Sequence, residues 1–197
     1  MWSVPHGFDG EGVGVQRTGH LWRTRSEYED SADDHAGIRR VLEAAFETTA
    51  EADLVDELRH DPEHWIQRYS VLGMTAAIPD SEFETLPAAH ALVHRCIVGG
   101  HPGLMLAPTG VLPQHQGEGA GTAVINAVLE LAKDDGEAFV LVYGYPHYYP
   151  RFGFTPAAEA GITAQWATQK PALQIRILDD TATIPTGEVE LPKAYGI

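Results

Sequence analysis

The stretch from residue 104 to residue 136 constrains the fold of this chain more than any other. Residues 104–112 are almost all apolar, which is typical of a strand that is covered on both faces. Residues 124–132 place apolar side chains at helical spacing, and Asp135-Gly136 predicts the end of that helix. Between the two lies a turn with glycine at positions 117, 119 and 121. A buried strand that leads through glycines into a helix predicts a mixed α/β (α+β) protein around one central sheet.

The rest of the chain is consistent with one domain. Residues 1–19 hold five glycines and no apolar period, so we expect a flexible N-terminal lead-in before a single domain over residues 20–197 that ends in C-terminal strands. Further helices are predicted over residues 31–46 and 51–59, and a long loop over residues 75–87. Further strands are predicted over residues 20–25, 65–74, 90–98, 139–143, 173–178 and 188–191.

The charge balance excludes one broad class of partner. The chain has 13 basic and 28 acidic residues, a formal net charge of −15, which repels nucleic acid and attracts cations and amines. Its single cysteine, Cys96, excludes an internal disulfide and favours a cytoplasmic location. No apolar stretch approaches the roughly 20 residues that span a bilayer, so no membrane partner is expected.

The glycine-rich turn predicts an anion site. The first N–H groups of a helix have no partner inside the helix, the helix dipole adds about half a positive charge, and glycine lets a phosphate approach. Two familiar phosphate motifs do not fit. A Walker loop needs Gly-Lys-Ser/Thr where Gly121-Thr122-Ala123 stands, and a dinucleotide fingerprint needs glycine at Thr122. From this turn alone, a helix start without a ligand stays open.

Two motifs, in the right order, resemble those of the GNAT superfamily, the general-control-related N-acetyltransferases. Residues 116–121, Gln-Gly-Glu-Gly-Ala-Gly, match its Gln/Arg-x-x-Gly-x-Gly/Ala signature. Residues 148–154, Tyr-Tyr-Pro-Arg-Phe-Gly-Phe, resemble its aromatic-Tyr-x-Lys/Arg-x-Gly-Phe string. Residues 38–59 resemble the first helices of a branch of small predicted acetyltransferases. The resemblance covers residues 20–180 and implies an acyl-CoA N-acyltransferase fold, a central mixed sheet with splayed parallel strands flanked by helices.

The resemblance also implies a donor and an acceptor. Acetyl-CoA would be the co-substrate, and the acceptor would be a primary amine of a small molecule or peptide; a homodimer is left open. The pantetheine arm would pair with main-chain groups near Gly110 and Val111. The residues implied at the pyrophosphate are those of the signature turn: Gln116, Gly117, Gly119, Ala120, Gly121 and Thr122.

Tyr149 is the predicted general acid. Attack of an amine on a thioester leaves a thiolate that must be protonated, and a phenol can supply that proton. The superfamily often places a tyrosine at this position near the sulfur. An aromatic core position is the alternative, because several aromatic residues surround it in the sequence. Pro150 also disfavours helical backbone at Tyr149.

The general base is less well indicated. The strand over residues 104–112 contains no carboxylate or histidine. Glu51 matches an acidic position of the resembling branch and is a candidate to hold an ammonium group or to relay its proton. The alternative is an acid that only stabilises the start of its helix. His90 and His94 lie on a predicted strand, where packing is the simpler interpretation, and a water chain without a dedicated side chain is a further possibility.

No metal is expected. His60 and His64 are spaced like ligands on a helix, but Pro62 breaks the helix that would bring them together. Direct transfer in a ternary complex is predicted, since no nucleophile is evident in the motifs. The rival hypothesis is a non-catalytic acyl-CoA-binding sensor or regulatory module.

Overall fold

The computed structural model describes residues 22–75, 86–167 and 172–197. The predicted lead-in over residues 1–19 and most of the predicted loop over residues 75–87 lie outside these ranges. The helices are α1 (Ala32–Ala45), α2 (Ala50–Arg59) and α3 (Ala120–Asp134). The strands are β1 (Arg23–Ser26), β2 (Ser70–Met74), β3 (Pro87–Val98), β4 (His101–Val111), β5 (Phe139–Tyr143), β6 (Thr155–Pro156), β7 (Ile162–Thr163), β8 (Leu173–Ile177) and β9 (Gly187–Glu190).

The strands form a mixed sheet in the order β1-β2-β3-β4-β5-β8-β6. Neighbours along this path are antiparallel except β4 and β5, which are parallel. Strand β9 pairs with the last residues of β3 and, in parallel, with β7. The predicted central sheet is therefore confirmed.

A bulge in β4 separates it from β5. Ala91 of β3 pairs with Thr109 and Val93 pairs with Leu106, so Ala107 and Pro108 together oppose one residue of β3. The described pairing of β4 with β5 comprises Met105 with Leu141 and Leu106 with Val142. Beyond the bulge, β4 pairs with β3 on one side and faces a gap on the other. This gap is the predicted splay between the parallel strands.

The helices cover opposite faces of the sheet. Helices α1 and α2 bury Ile38, Leu42, Leu54 and Leu58 in one cluster with Leu72 and Leu92. Helix α3 buries the predicted apolar face against the other side of the sheet, including Val124, Ile125, Val128 and Ala132. The side chain of Ser31 accepts a hydrogen bond from the Asp34 N–H and caps α1, as its position predicts.

Several element bounds differ from those predicted. Strand β2 begins at Ser70 and not at Trp65, because residues 67–69 form a 3-10 turn and the Trp65 indole donates to the Gln67 side chain at 3.0 Å. The two-residue strands β6 and β7 have no alternating pattern of their own and were not predicted. None of the helices within the described ranges is long and apolar enough to cross a membrane.

Candidate active site

Five element ends meet at one end of the sheet. Strand β4 leads into α3 at this end, and β5, parallel to β4, ends there too. A Cβ at Gly110 would lie 3.0 Å from Leu42 Cδ2 and 3.2 Å from Ala45 Cβ, so the last turn of α1 covers the end of β4. Helix α2 begins five residues after α1 ends, which brings its first turn to the same end.

The glycine-rich turn presents unpaired amides. Gly117 and Gly119 have φ values of +76° and +89°, the left-handed region that favours glycine. Among the residues that the structure describes, no acceptor takes a hydrogen bond from the N–H groups of residues 117–119. Ala120 then begins α3 with the N–H groups that a first helical turn leaves unpaired. The turn is therefore able to bind an anion through main-chain hydrogens.

Gly121 is a position of close approach. A Cβ there would lie 3.2 Å from Val111 Cγ2 and 3.4 Å from the Tyr148 hydroxyl oxygen. The Tyr148 hydroxyl also shares a hydrogen bond with the side chain of Thr122. The Gln116 side chain donates to the Val111 carbonyl oxygen at 3.4 Å. Gln116, Gly121 and Thr122 thus lie together at the end of β4, and their role in binding the cofactor stays a prediction.

The edge of β4 beyond the bulge offers further polar groups. The Leu112 N–H donates to the Ala88 carbonyl on the β3 side at 2.8 Å, so the N–H of Val111 points toward the gap. The Thr109 hydroxyl oxygen is buried and has no partner within the described ranges. Thr109 was missed from the sequence, because a threonine in an apolar strand carries no motif. Together these groups fit an amide-bearing chain that lies along the gap.

Tyr149 lies beside this gap. Its ring packs over Gly144, where a Cβ would lie 2.5 Å from Tyr149 Cε2, and it meets the Phe154 ring at 5.7 Å between centroids. Burial raises the pKa of its phenol well above the usual value, and the neighbouring Tyr148 adds to the shift. No group in the described part of the chain hydrogen-bonds the Tyr149 hydroxyl. A protonated phenol without an internal partner is suited to donate to a ligand.

Glu51 lies in the first turn of α2 with only 3% of its surface exposed. Its carboxylate is 3.5 Å from the Thr48 hydroxyl. The fold brings it to the end of the sheet that holds the glycine turn, but it makes no direct hydrogen bond to Tyr149. Of the other acids on α2, Asp53 and Asp56 pair with Arg39 on the surface, so the acidic face of this helix is largely ion-paired.

The strand histidines are packed, as the simpler interpretation holds. His94 bonds the Arg95 carbonyl oxygen at 2.8 Å and the Tyr195 hydroxyl at 2.7 Å. Burial lowers the pKa of His94 to about 4 and that of His90 to about 3. Burial likewise raises the pKa of the Cys96 thiol to about 12. These groups are uncharged at neutral pH and are not suited to activating a substrate in this gap.

One group of possible metal ligands occurs in the described ranges. Carboxylate and imidazole atoms of Asp61, Glu63 and His64 lie within 4.8 Å of one another. The group follows the last turn of α2, at the end of the sheet opposite the glycine turn. It does not pair His60 with His64, and it contributes nothing to the site described above.

A family comparison identifies this arrangement. The model of the acetyltransferase (GNAT) family matches residues 22–154 of the chain. The chain belongs to this family. This match confirms the predicted family and enzyme class, and the relatives described next confirm the mixed α/β fold and acetyl-CoA as co-substrate.

Individual relatives of this acetyltransferase agree with the assignment. The Escherichia coli K12 protein named uncharacterized N-acetyltransferase YhbS is 31% identical over 160 residues, which make up 80% of this chain and 90% of that protein. The crystal structure of YhbS in complex with CoA has a TM-score of 0.78 and 26% identity, covering 89% of this chain and 92% of that one. A Brucella melitensis GNAT acetyltransferase in complex with acetyl-CoA has a TM-score of 0.66 and 25% identity, covering 89% and 99%.

Proposed function

We propose that this acetyltransferase transfers the acetyl group of acetyl-CoA to a primary amine of a small molecule or peptide by direct attack in a ternary complex. The observation that carries the proposal is two separate sets of main-chain donors that have no acceptor among the described residues, one at the β4 edge and one in the glycine turn. At the β4 edge the Val111 N–H points into the gap, and in the turn the donors are the amides of residues 117–119. A diphosphate joined to an amide-bearing arm has acceptors for both sets.

The predicted cofactor residues then take separate roles. The amides of Gly117, Gly119 and the first turn of α3 would hold the diphosphate. The main chain near Gly110 and Val111 would pair with the pantetheine arm, and the Thr109 hydroxyl would find there the partner that it lacks among the described residues. YhbS and the Brucella enzyme, which were crystallised with CoA and acetyl-CoA, support this placement.

Tyr149 would act as the general acid. A bond forms between the amine nitrogen and the acetyl carbon while the carbon–sulfur bond breaks, and the phenol gives its proton to the departing thiolate. The proton lost by the amine passes through water and restores the phenol. The raised pKa of Tyr149 keeps the donor protonated over the working range of pH. Its hydroxyl is suited to this role because no described residue holds it.

Glu51 would bind the acceptor as an ammonium and receive the proton that must leave before the neutral amine attacks, whereas the second proton, lost on amide formation, is the one that restores the phenol. A buried carboxylate attracts a cation more strongly than an exposed one, because the surrounding dielectric is lower. The net charge of −15 also attracts cationic acceptors, because their charge is opposite to that of the protein. Polyamines, aminoglycosides and lysine-bearing peptides are the classes that fit this charge.

The test is thiol release from acetyl-CoA across a panel of these three amine classes, together with calorimetry of CoA binding. We expect CoA to bind and at least one cationic amine to give turnover. Tight binding without turnover on any amine would instead favour the acyl-CoA sensor, and absence of binding would refute the placement of the donor. The cytoplasmic location and the homodimer stay predictions.

A further inference from the structure

The indole of Trp22, far from the glycine turn in the sequence, contacts this turn in the structure. Trp22 precedes β1, and its Nε1–H donates to the Glu118 carbonyl oxygen at 2.9 Å. We propose that Trp22 is a positioning residue for the CoA diphosphate, because this bond fixes the orientation of the Glu118–Gly119 peptide. The inference rests on the proposed function of the turn, and it assigns a role to a residue outside both acetyltransferase motifs.

The peptide geometry gives the reason. In a trans peptide the C=O and the N–H of the following residue point in opposite directions. With the Glu118 oxygen held by Trp22, the N–H of Gly119 is directed away from the indole. Gly119 has φ of +89° and no Cβ, so its own conformational preferences do not hold this peptide in one orientation. The bond from Trp22 selects the orientation in which this amide is available for a phosphate.

The indole is itself held in place. Trp22 is half-buried and packs against the cluster of Val41, Ala88 and Leu112, which joins α1, β3 and the end of β4. Its ring meets the His115 ring edge-on at 5.5 Å between centroids. His115 in turn bonds the Glu118 carboxylate at 3.1 Å. Glu118 is therefore held twice, through its carbonyl oxygen by Trp22 and through its carboxylate by His115, and these contacts anchor the turn to the sheet.

The expected effect is on donor affinity and not on chemistry. If the peptide samples two orientations, the apparent affinity for CoA equals the intrinsic affinity multiplied by the fraction of molecules in the orientation that binds phosphate. Loss of one such hydrogen bond corresponds to about a five-fold change. Among the described residues, Trp22 forms no hydrogen bond or ring contact with Tyr149, so the rate of the bound complex should not change.

The experiment compares Trp22→Phe with Trp65→Phe. Both replacements keep an aromatic ring and remove an indole N–H, but Trp65 donates to the Gln67 side chain far from the turn. For Trp22→Phe we expect the calorimetric Kd for CoA and the KM for acetyl-CoA to rise about five-fold with kcat unchanged. S-acetylpantetheine lacks the diphosphate, and its kcat/KM should be the same in wild type and Trp22→Phe. Trp65→Phe should match wild type in every measurement.

The outcomes separate this inference from the proposed function. Absence of CoA binding by the wild type would overturn both. Normal binding by the wild type with an unchanged Kd in Trp22→Phe would overturn this inference alone. An equal loss with S-acetylpantetheine, or an equal loss in Trp65→Phe, would show a general structural effect and would also overturn it. Trp22→Met removes the same N–H with a flexible apolar side chain, and it provides the test if Trp22→Phe does not fold.

Discussion

Tyr148 and Tyr149 are adjacent in the chain but differ in what holds their hydroxyl groups. The Tyr148 hydroxyl bonds the Thr122 side chain, and the Arg151 guanidinium lies 4.4 Å from the centre of its ring. The Tyr149 ring meets that of Tyr148 edge-on at 5.2 Å, and its hydroxyl has no partner in the part of the chain that the structure describes. In the proposed placement of the donor, Tyr148 would therefore lie at the diphosphate end of the site and Tyr149 at the reacting end.

Replacing Tyr149 by phenylalanine tests this division. We expect kcat to fall about 100-fold, because the proton donor to the thiolate is lost, while KM for acetyl-CoA changes less than about two-fold. Tyr148→Phe is the matched control, since it removes one hydroxyl from the neighbouring ring and should leave kcat within about three-fold. Thiol release under saturating donor measures both. Full turnover by Tyr149→Phe would remove this residue from the chemistry.

At the scale of the element, α3 offers a comparison between its own two ends. Gly119 precedes its first residue and Gly136 follows its last turn, with φ values of +89° and +80°. A Cβ at either position would meet nothing within 4 Å. The two glycines thus share the same backbone requirement and the same open surroundings, but the proposed anion site involves Gly119 alone.

Alanine at the two positions should therefore separate folding from binding. We expect Gly119→Ala and Gly136→Ala each to lower the free energy of unfolding by about 1 kcal/mol, because alanine is strained at positive φ. Gly119→Ala should also weaken CoA binding at least ten-fold, since the new methyl group would keep phosphate from the amides. Urea unfolding and calorimetry measure the two effects. Equal CoA affinity in both variants would argue against the turn as the diphosphate site.

The elements that sequence predicts well are those with long apolar periods. Helix α3 and strand β5 match their predictions closely, because a helical apolar period determines α3 and an uninterrupted apolar run determines β5. The gap between β4 and β5 came from the family resemblance, since the bulge at Ala107-Pro108 leaves no periodic trace. The contact of Trp22 with Glu118 joins residues 96 apart in the chain, and no local pattern specifies such a partner.

At the scale of the whole molecule, a buried ion pair joins α2 to the start of the sheet. Arg59 bonds both oxygens of Glu27, at 3.0 and 3.2 Å, with 9% of its side chain exposed and none of that of Glu27. The Ser70 hydroxyl also donates to Glu27 and contacts the ring of His90. None of these residues forms a described hydrogen bond with the glycine turn or with Tyr149, so we expect the network to contribute to stability.

Removing the arginine should be costly. We expect Arg59→Met to lower the free energy of unfolding by about 3–5 kcal/mol, because it leaves the Glu27 carboxylate buried without its counter-charge. Arg39→Met is the control. Arg39 binds Asp53 and Asp56 of α2 on the surface, and its replacement should lower the free energy of unfolding by less than about 1 kcal/mol. Adding Glu27→Gln to Arg59→Met removes the unpaired charge, so the double variant should recover part of the stability that Arg59→Met loses. Equal losses of unfolding free energy in Arg59→Met and Arg39→Met would contradict a stabilising role for the buried Glu27–Arg59 pair.

The two buried histidines make the stability of the whole domain depend on pH. Burial lowers the pKa of His90 to about 3 and that of His94 to about 4, against 6.5 for an ordinary histidine. Between about pH 6.5 and pH 4 the unfolded chain binds a proton at each ring while the folded chain binds neither. Stability therefore falls as the pH falls through this range. Linkage gives a loss of about 2 kcal/mol for each histidine between pH 7.5 and pH 5.

Urea unfolding at pH 7.5, 6 and 5 measures this loss. Asp34 and Asp53, whose pKa values are lowered by arginine partners, lose their protonation-linked stability at more acidic pH, so the range above pH 4.5 isolates the histidines. His94→Gln should be less stable than wild type at pH 7.5 but should lose only about half as much stability on acidification. His101→Gln, at an exposed position, should keep the full slope. A wild-type stability that does not change between pH 7.5 and pH 5 would contradict the burial of these rings as neutral groups.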